Sequence, residues 1–314
     1  MIIAGPNLTI DRTLRIAELR PGEVLRFEEA VVTPGGKGVN VARLARELGV
    51  GAVLAGFLPG RTGAAAAGLL GDEGVVVRSV DVCGEIRSTA VVLERDGRVT
   101  VFNEPGPPLG PDDWERYEEV VASALADERV LACSGSLPPG APGDAYGRLV
   151  GLARDRGALS IVDVGGEQLG AAVARGPDVV TPNLAEAEGL LLGRADETVE
   201  AGEVAVVRAR AEAAALELVA RGARGAVVTA AAAGAAVAGP EGAWWVDAPR
   251  VAVVRNPIGA GDALVGGLAV ALERRLGFRD AVAFGVACGA ASVETKTAGV
   301  VVAARVAELA RVGR

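Results

Sequence analysis

An α/β protein with a mostly parallel sheet and helices on both of its faces is the fold class this sequence predicts. Three observations predict it. From residue 105 onward, short apolar strands alternate with helical stretches. Each of those strands ends on a polar residue, and such ends gather along one edge of a parallel sheet, where ligands bind. A glycine turn in NPIGAGDALVGGLAVAL, residues 256–272, then follows the last strands and runs straight into a helix.

Taken in order, residues 1–4 read as a short buried strand ending in the turn Gly5-Pro6-Asn7. Residues 8–33 hold short alternating runs around Pro21-Gly22, as in hairpin strands. In 33–49 the turn Gly35-Gly36-Lys37-Gly38 leads into a helix. Its inner face is Val41, Leu44, Ala45 and Leu48, and Gly49 stops it. Residues 50–85 read as strand, helix, strand. Residues 86–104 alternate around Asp96-Gly97, a hairpin signal, with Arg87 at its opening as an edge-strand charge or a functional group. Strands are predicted at 130–134, 159–163, 178–183, 226–229, 243–247 and 250–254, and helices at 143–156, 184–192 and 203–221. The first four of these strands end at Ser134, Asp163, Thr181 with Asn183, and Thr229. The Gly/Ala stretch 230–239 is low in complexity, and the tail 280–314 is helical with a break around 287–299.

Composition narrows the chemistry. Of the 314 residues half are hydrophobic and only 3% aromatic, so Ala, Val and Leu carry the core. A net charge of −8 with no basic stripe excludes a nucleic-acid footprint. No histidine is present, which removes a Ser-His-Asp triad, a Cys-His pair and most zinc sites. A catalytic base on this chain is therefore a carboxylate before it is Lys or Tyr. Cys83, Cys133 and Cys288 are far apart and unpaired, and read as buried small hydrophobes in a reducing compartment. With neither a signal peptide nor a transmembrane run, a soluble, cytoplasmic protein is the expectation, with no membrane partner.

The 259–262 turn carries the sharpest reading. Gly259, Ala260 and Gly261 let a ligand approach the backbone, and free amides at the start of the helix favour an anion, most often a phosphate. Asp262 at its mouth either caps the helix or accepts a proton from a hydroxyl attacking a phosphoryl group.

Seven motifs in order then resemble the ribokinase/PfkB family of sugar kinases, in particular its phosphofructokinase-like branch. They are NLTID at 7–11, PGGKGVNVARLARELG at 34–49, NEPGP at 103–107, SGSLPPG at 134–140, VDVGGEQL at 162–169, TPNLAE at 181–186 and GAGD at 259–262. The resemblance implies a three-layer α/β/α core over 1–10, 34–85 and 105–314. It also implies a small β lid over 11–33 and 86–104 that closes on the sugar and builds a homodimer. ATP and Mg2+ are the implied cofactors, and a small sugar phosphate the implied partner.

Roles follow from the resemblance as well. Asp262 matches the catalytic base, and Gly259, Ala260 and Gly261 the anion hole. Asp11, Gly36, Lys37 and Asn40 fall where sugar hydroxyls are held, with Asn103 and Ser136 in sugar-side segments. Arg87 matches the arginine that grips a phosphate already on the substrate, assisted by Arg26. Asn183 and Glu186 match a motif that organises the magnesium ion and its waters, with Asp163 nearby. Thr229, Gly234 and Ser292 fall on the nucleotide side. The chain departs from the family at Thr181, where Lys is usual, at Ala230-Ala231 for Leu-Gly, at Asn256-Pro257-Ile258 where Ser or Thr is common, and at Ala263 for Ser. These departures bear on nucleotide affinity more than on chemistry. A free-sugar or nucleoside kinase and a sugar-phosphate-binding regulatory protein are the alternatives. A dinucleotide oxidoreductase is disfavoured, since no G-x-G-x-x-G follows the first strand.

Overall fold

The computed structural model describes residues 1–193 and 202–312. Residues 194–201 of the expected core, and 313–314 of the expected helical tail, lie outside the described residues.

The main sheet has nine strands among the described residues. Across it run β13 (Gly242–Asp247), β12 (Gly234–Gly239), β11 (Ala226–Thr229), β10 (Val179–Val180), β9 (Leu159–Asp163), β8 (Val130–Ser134), β1 (Ile2–Ala4), β4 (Val53–Phe57) and β5 (Val76–Val80). From β11 to β5 every pairing is parallel, and β12 and β13 add an antiparallel edge. This is the α/β fold that the strand–helix alternation predicts. The central strands β1 and β8 are buried along their whole length, as parallel strands covered on both faces must be.

Helices make the outer layers. One face of the sheet packs against α1 (Lys37–Glu47), α8 (Ala260–Glu273), α9 (Phe278–Ser292) and α10 (Ala303–Val312). The other packs against α3 (Asp113–Ala124), α4 (Ala145–Asp155), α5 (Gly166–Val173), α6 (Leu184–Leu192) and α7 (Val204–Ala220). The second layer holds the buried aromatic group Phe57, Trp114 and Tyr117, and the Tyr117 hydroxyl donates to the Ala55 carbonyl.

A separate four-stranded sheet, in order β3 (Glu29–Gly35), β2 (Thr9–Ile16), β6 (Arg87–Glu94) and β7 (Val99–Asn103), stands beside the first. Both hairpins that the alternation predicts are present, and they join through a parallel β2–β6 pairing. Arg87 is thus on an inner strand and half-buried, which removes its edge-strand reading. Ile10 and Ile86 pack this sheet onto Ala66 of α2 (Gly60–Asp72).

Other elements differ from expectation. Residues 250–254 form no strand. The Gly/Ala stretch instead supplies β12, which patterning misses because Gly and Ala have weak strand propensity. Small residues are needed there: a Cβ on Gly239 would stand 3.0 Å from the Phe278 ring. Strand β10 is two residues long, α3 lies outside the helices named from the sequence, and the break in the tail falls at 293–302. Cys83 is exposed, whereas Cys133 and Cys288 are buried as expected.

Helices α8 and α9 meet through glycines. A Cβ on Gly285 would lie 2.8 Å from the Leu264 carbonyl oxygen, and one on Gly267 2.6 Å from Cys288 Sγ. Gly285→Ala is therefore expected to lower unfolding free energy by about 1–3 kcal/mol. Gly151→Ala in α4, where the new methyl meets nothing within 4 Å, should raise it by ~0.5–1 kcal/mol. Denaturant titration of the two variants checks both signs.

Candidate active site

Two glycine turns bring two helix N-termini together at the carboxyl edge of the sheet. Helix α1 begins after Gly36 and α8 after Gly259; both caps have positive φ (107° and 82°), and neither has a side-chain cap bond. Gly5 at the end of β1 and Gly38 in α1 touch backbone to backbone, since a Cβ on Gly38 would fall 2.9 Å from Gly5 Cα. A Cβ on Gly261 meets nothing within 4 Å, so its backbone is open to a ligand.

Asp262 lies in the first turn of α8 and is 6% exposed. It makes no cap bond, so the capping reading is corrected: Gly259 is the cap residue, and the carboxylate is turned elsewhere. Asp262 Oδ2 accepts a 2.7 Å hydrogen bond from Asn40 Nδ2. Asn40, expected at the sugar hydroxyls, is therefore spent at least in part on Asp262. Burial, aided by the charges of Asp163 and Glu186, pushes the Asp262 pKa up to about 7, against Lys37 and the Asn40 hydrogen bond.

The strand ends assemble the rest. Asp163 closes β9, is buried, and accepts from Ser134 Oγ and Thr181 Oγ1, both at 3.3 Å. Lys37 Nζ donates to Asp163 Oδ2 at 3.2 Å and lies 3.8 Å from Glu186 Oε1. Asp163 is the main cause that raises the Lys37 pKa, so the ammonium stays charged. Lys37 thus sits against the two carboxylates assigned to a metal, not only at the sugar side. Asn183 and Glu186 form a reciprocal capping box at the start of α6: Asn183 Oδ1 accepts from the Glu186 amide, and Glu186 Oε2 from the Asn183 amide. Among the described residues no group of three or more His, Cys, Asp or Glu side chains forms a metal cage.

Between the small sheet and this edge lies a cavity of about 210 Å³, lined in part by Gly36, Lys37, Arg87, Asn103 and Ser136. Arg87 Nε donates to the Asn7 carbonyl, and burial pulls its guanidinium below its ordinary pKa. Asp11 faces Gly35, where a Cβ would overlap its carboxylate, and Asp11 Oδ1 is buried without a hydrogen-bond partner. Burial raises the pKa of Asp11, against hydrogen bonding from Thr9 and the charge of Arg87. The Thr9, Thr89 and Asn103 side chains form a chain of hydrogen bonds across the sheet. A larger depression, about 560 Å³, lies between β5 and α3 and shares none of these residues.

Not every expected residue joins the site. Arg26 is exposed on the loop from β2 to β3, and neither it nor the sugar-side candidates Asp11 and Asn40 line the cavity. Ser292 is buried, and its hydroxyl donates to the Gly289 carbonyl within α9. Gly234 is needed for packing, since a Cβ there would meet the Val246 carbonyl at 2.2 Å. Thr229 ends β11 and pairs with Asn183 in an isolated bridge. Ala231 adopts φ +46°, a left-handed conformation that costs a non-glycine residue about 1–2 kcal/mol.

Sequence reasoning missed Asn7 and Arg43. Asn7 lies in the NLTID motif, lines the cavity, and donates from Nδ2 to Ser136 Oγ and the Pro105 carbonyl. Only its place beside Asp11 in that motif could have marked it. Arg43 is buried behind Asn40.

The profile of the pfkB family of carbohydrate kinases matches residues 7–304. The chain belongs to that family. Within it, the chain is 33% identical over 296 residues to ATP-dependent 6-phosphofructokinase isozyme 2 of Escherichia coli K12, spanning 90% of this chain and 89% of that one. It is 34% identical over 269 residues to 1-phosphofructokinase of Rhodobacter capsulatus, spanning 83% and 80%. Escherichia coli phosphofructokinase-2 in complex with potassium superposes with a TM-score of 0.88 at 29% identity, over 99% and 98% of the two chains. A ribokinase from Thermotoga maritima, 20% identical with a TM-score of 0.77 over 99% and 98%, shares the fold. The protein is a carbohydrate kinase with a ribokinase-like α/β core. Among the described residues no helix is long and apolar enough to cross a membrane.

Asp262 sets a cost on stability. Its pKa is raised on folding, so the folded state holds a proton that the unfolded state has released between pH 3.8 and about 7. The penalty is absent below the unfolded value and complete above the folded one, growing by ~1.4 kcal/mol per pH unit between them. Asp262→Asn should therefore be more stable than wild type at pH 8 and no more stable at pH 4, as measured by thermal melts across that range.

Proposed function

We propose that the protein is an ATP-dependent kinase of a phosphorylated ketohexose, with fructose 1-phosphate, fructose 6-phosphate and tagatose 6-phosphate as candidate acceptors. The observation that carries this reading is Asp262: a buried carboxylate with its pKa near 7, in the first turn of an uncapped helix, beside a second uncapped helix. Such a group is poised to take a proton near neutral pH.

In this reading the sugar lies in the cavity beneath the small sheet, which acts as its lid. Asp11, through its unpartnered Oδ1, accepts from a sugar hydroxyl, and Asn103 and Ser136 hold others. Arg87 grips the phosphate already on the sugar, because a guanidinium fork makes two parallel hydrogen bonds to a phosphomonoester. The attacking hydroxyl oxygen bonds to the γ-phosphorus of ATP as the bond to the β,γ-bridging oxygen breaks. Its proton passes to Asp262. The amides of residues 259–261 and the Lys37 ammonium stabilise charge on the transferring group. Thr229 and Asn183 border the nucleotide. The donor set fits a magnesium ion held chiefly by nucleotide phosphates and water: Glu186 Oε2 is used in the cap and Asp163 is paired with Lys37, leaving Glu186 Oε1 as the carboxylate oxygen for it. When bound, that ion neutralises phosphate charge.

The relatives' names support the phosphorylated substrate and the ATP donor. A product-resolved assay of the three sugar phosphates with ATP should show turnover of at least one. Asp262→Asn should lower kcat by ~10²–10⁴-fold. Wild-type kcat should rise with pH through about 7 as Asp262 loses its proton. Arg87→Ala should raise KM for the sugar phosphate by ~10-fold or more. An unchanged KM points instead to a free sugar or nucleoside, and calorimetry showing sugar phosphate bound but no nucleotide points to a regulatory protein.

The lid also supports a homodimer. Val31, Thr13, Val91 and Val101 are aligned across its four strands, and Val31 and Val101 are 43% and 44% exposed, a row of three valines and one threonine suited to a second copy. Val101→Glu should shift the sedimentation coefficient from dimer to monomer.

A further inference from the structure

Arg43 lies in α1, one turn beyond Asn40, and is only 5% exposed. It has no place in the chemistry proposed for the site. A buried guanidinium is costly unless it is paired and hydrogen-bonded, and this one is engaged on three sides. Its Nε and Nη2 donate to Glu73 Oε2 and Oε1 at 2.6 and 2.7 Å. Nη2 also donates to the Pro34 carbonyl at 2.7 Å, in the strand that leads from the small sheet into the glycine turn. Nη1 donates to Asn40 Oδ1 at 3.3 Å.

That third contact decides which way the Asn40 amide faces. A guanidinium is donor-only, so Asn40 must present its oxygen to Arg43. The amide nitrogen then points at Asp262 Oδ2, 2.7 Å away. A flipped amide would set oxygen against carboxylate and nitrogen against guanidinium, two repulsive contacts for two attractive ones.

We infer that Arg43 is a positioning residue: clamped by Glu73 and by the end of the small sheet, it orients Asn40, which holds the Asp262 carboxylate in place. The kinetic consequence rests on Asp262 being the base of the proposed kinase; the geometry does not.

A crystal structure of Arg43→Met tests the geometry without any substrate. The expected result is an Asn40 amide that has turned away, with Nδ2 beyond about 3.5 Å from Asp262. An unchanged contact overturns the inference. In the sugar-phosphate kinase assay, Arg43→Met should lower kcat by about tenfold or more, with KM for the sugar phosphate within about twofold. In an Asn40→Ala background the same change should cost less than about twofold, because the two residues act through one contact. Additive losses, or a change in KM alone, overturn it. Should Arg43→Met not fold, Glu73→Ala carries the test: it removes the clamp from the partly exposed side and should give the same movement of Asn40 and a loss of about threefold in kcat. Unchanged Asn40 geometry in Glu73→Ala counts against the inference. A wild type inactive on every sugar phosphate removes the kinase reading and leaves the crystallographic result to decide this one.

Discussion

One hydrogen bond, from Asn40 to Asp262, spans 222 residues of sequence and ties the two glycine turns into one site. It exists only because α1 and α8 run side by side on one face of the sheet. Their approach is close: a Cβ on Gly266 would stand 2.7 Å from Leu44 Cδ2. The loop 293–302 closes the same joint from outside, with Gly299 against the Asn40 backbone and Ala298 against Gly259. Small residues at these positions are thus a condition for Asp262 to reach Asn40.

The electrostatics follow from the same convergence. Asp163, Glu186 and Asp262 arrive from three separate elements and share one ammonium, Lys37. Each carboxylate would be ordinary on a solvated surface. Burial, with the charges of its two neighbours added, brings the pKa of Asp262 near neutrality. The strained Ala231 and the buried carboxylate of Asp262 both give up stability at this edge. A fold with an ample apolar core on each face of its sheet tolerates such local costs.

Much of this was legible in the chain itself. Strand and helix alternation, the polar strand ends, the glycine turn before Asp262 and the two hairpins all follow from local pattern, because side-chain periodicity and turn chemistry act over a few residues. The absence of histidine by itself points to a carboxylate for any general-base role. Tertiary structure alone decided the rest. It placed Lys37 against Asp163 and Glu186, turned Asn40 toward Asp262 and put Arg43 behind it, paired β2 with β6, and made a strand of a Gly/Ala run. Each of these depends on partners far apart in sequence, and burial, which sets both the partners and the pKa values, is a property of the packed molecule and not of any segment.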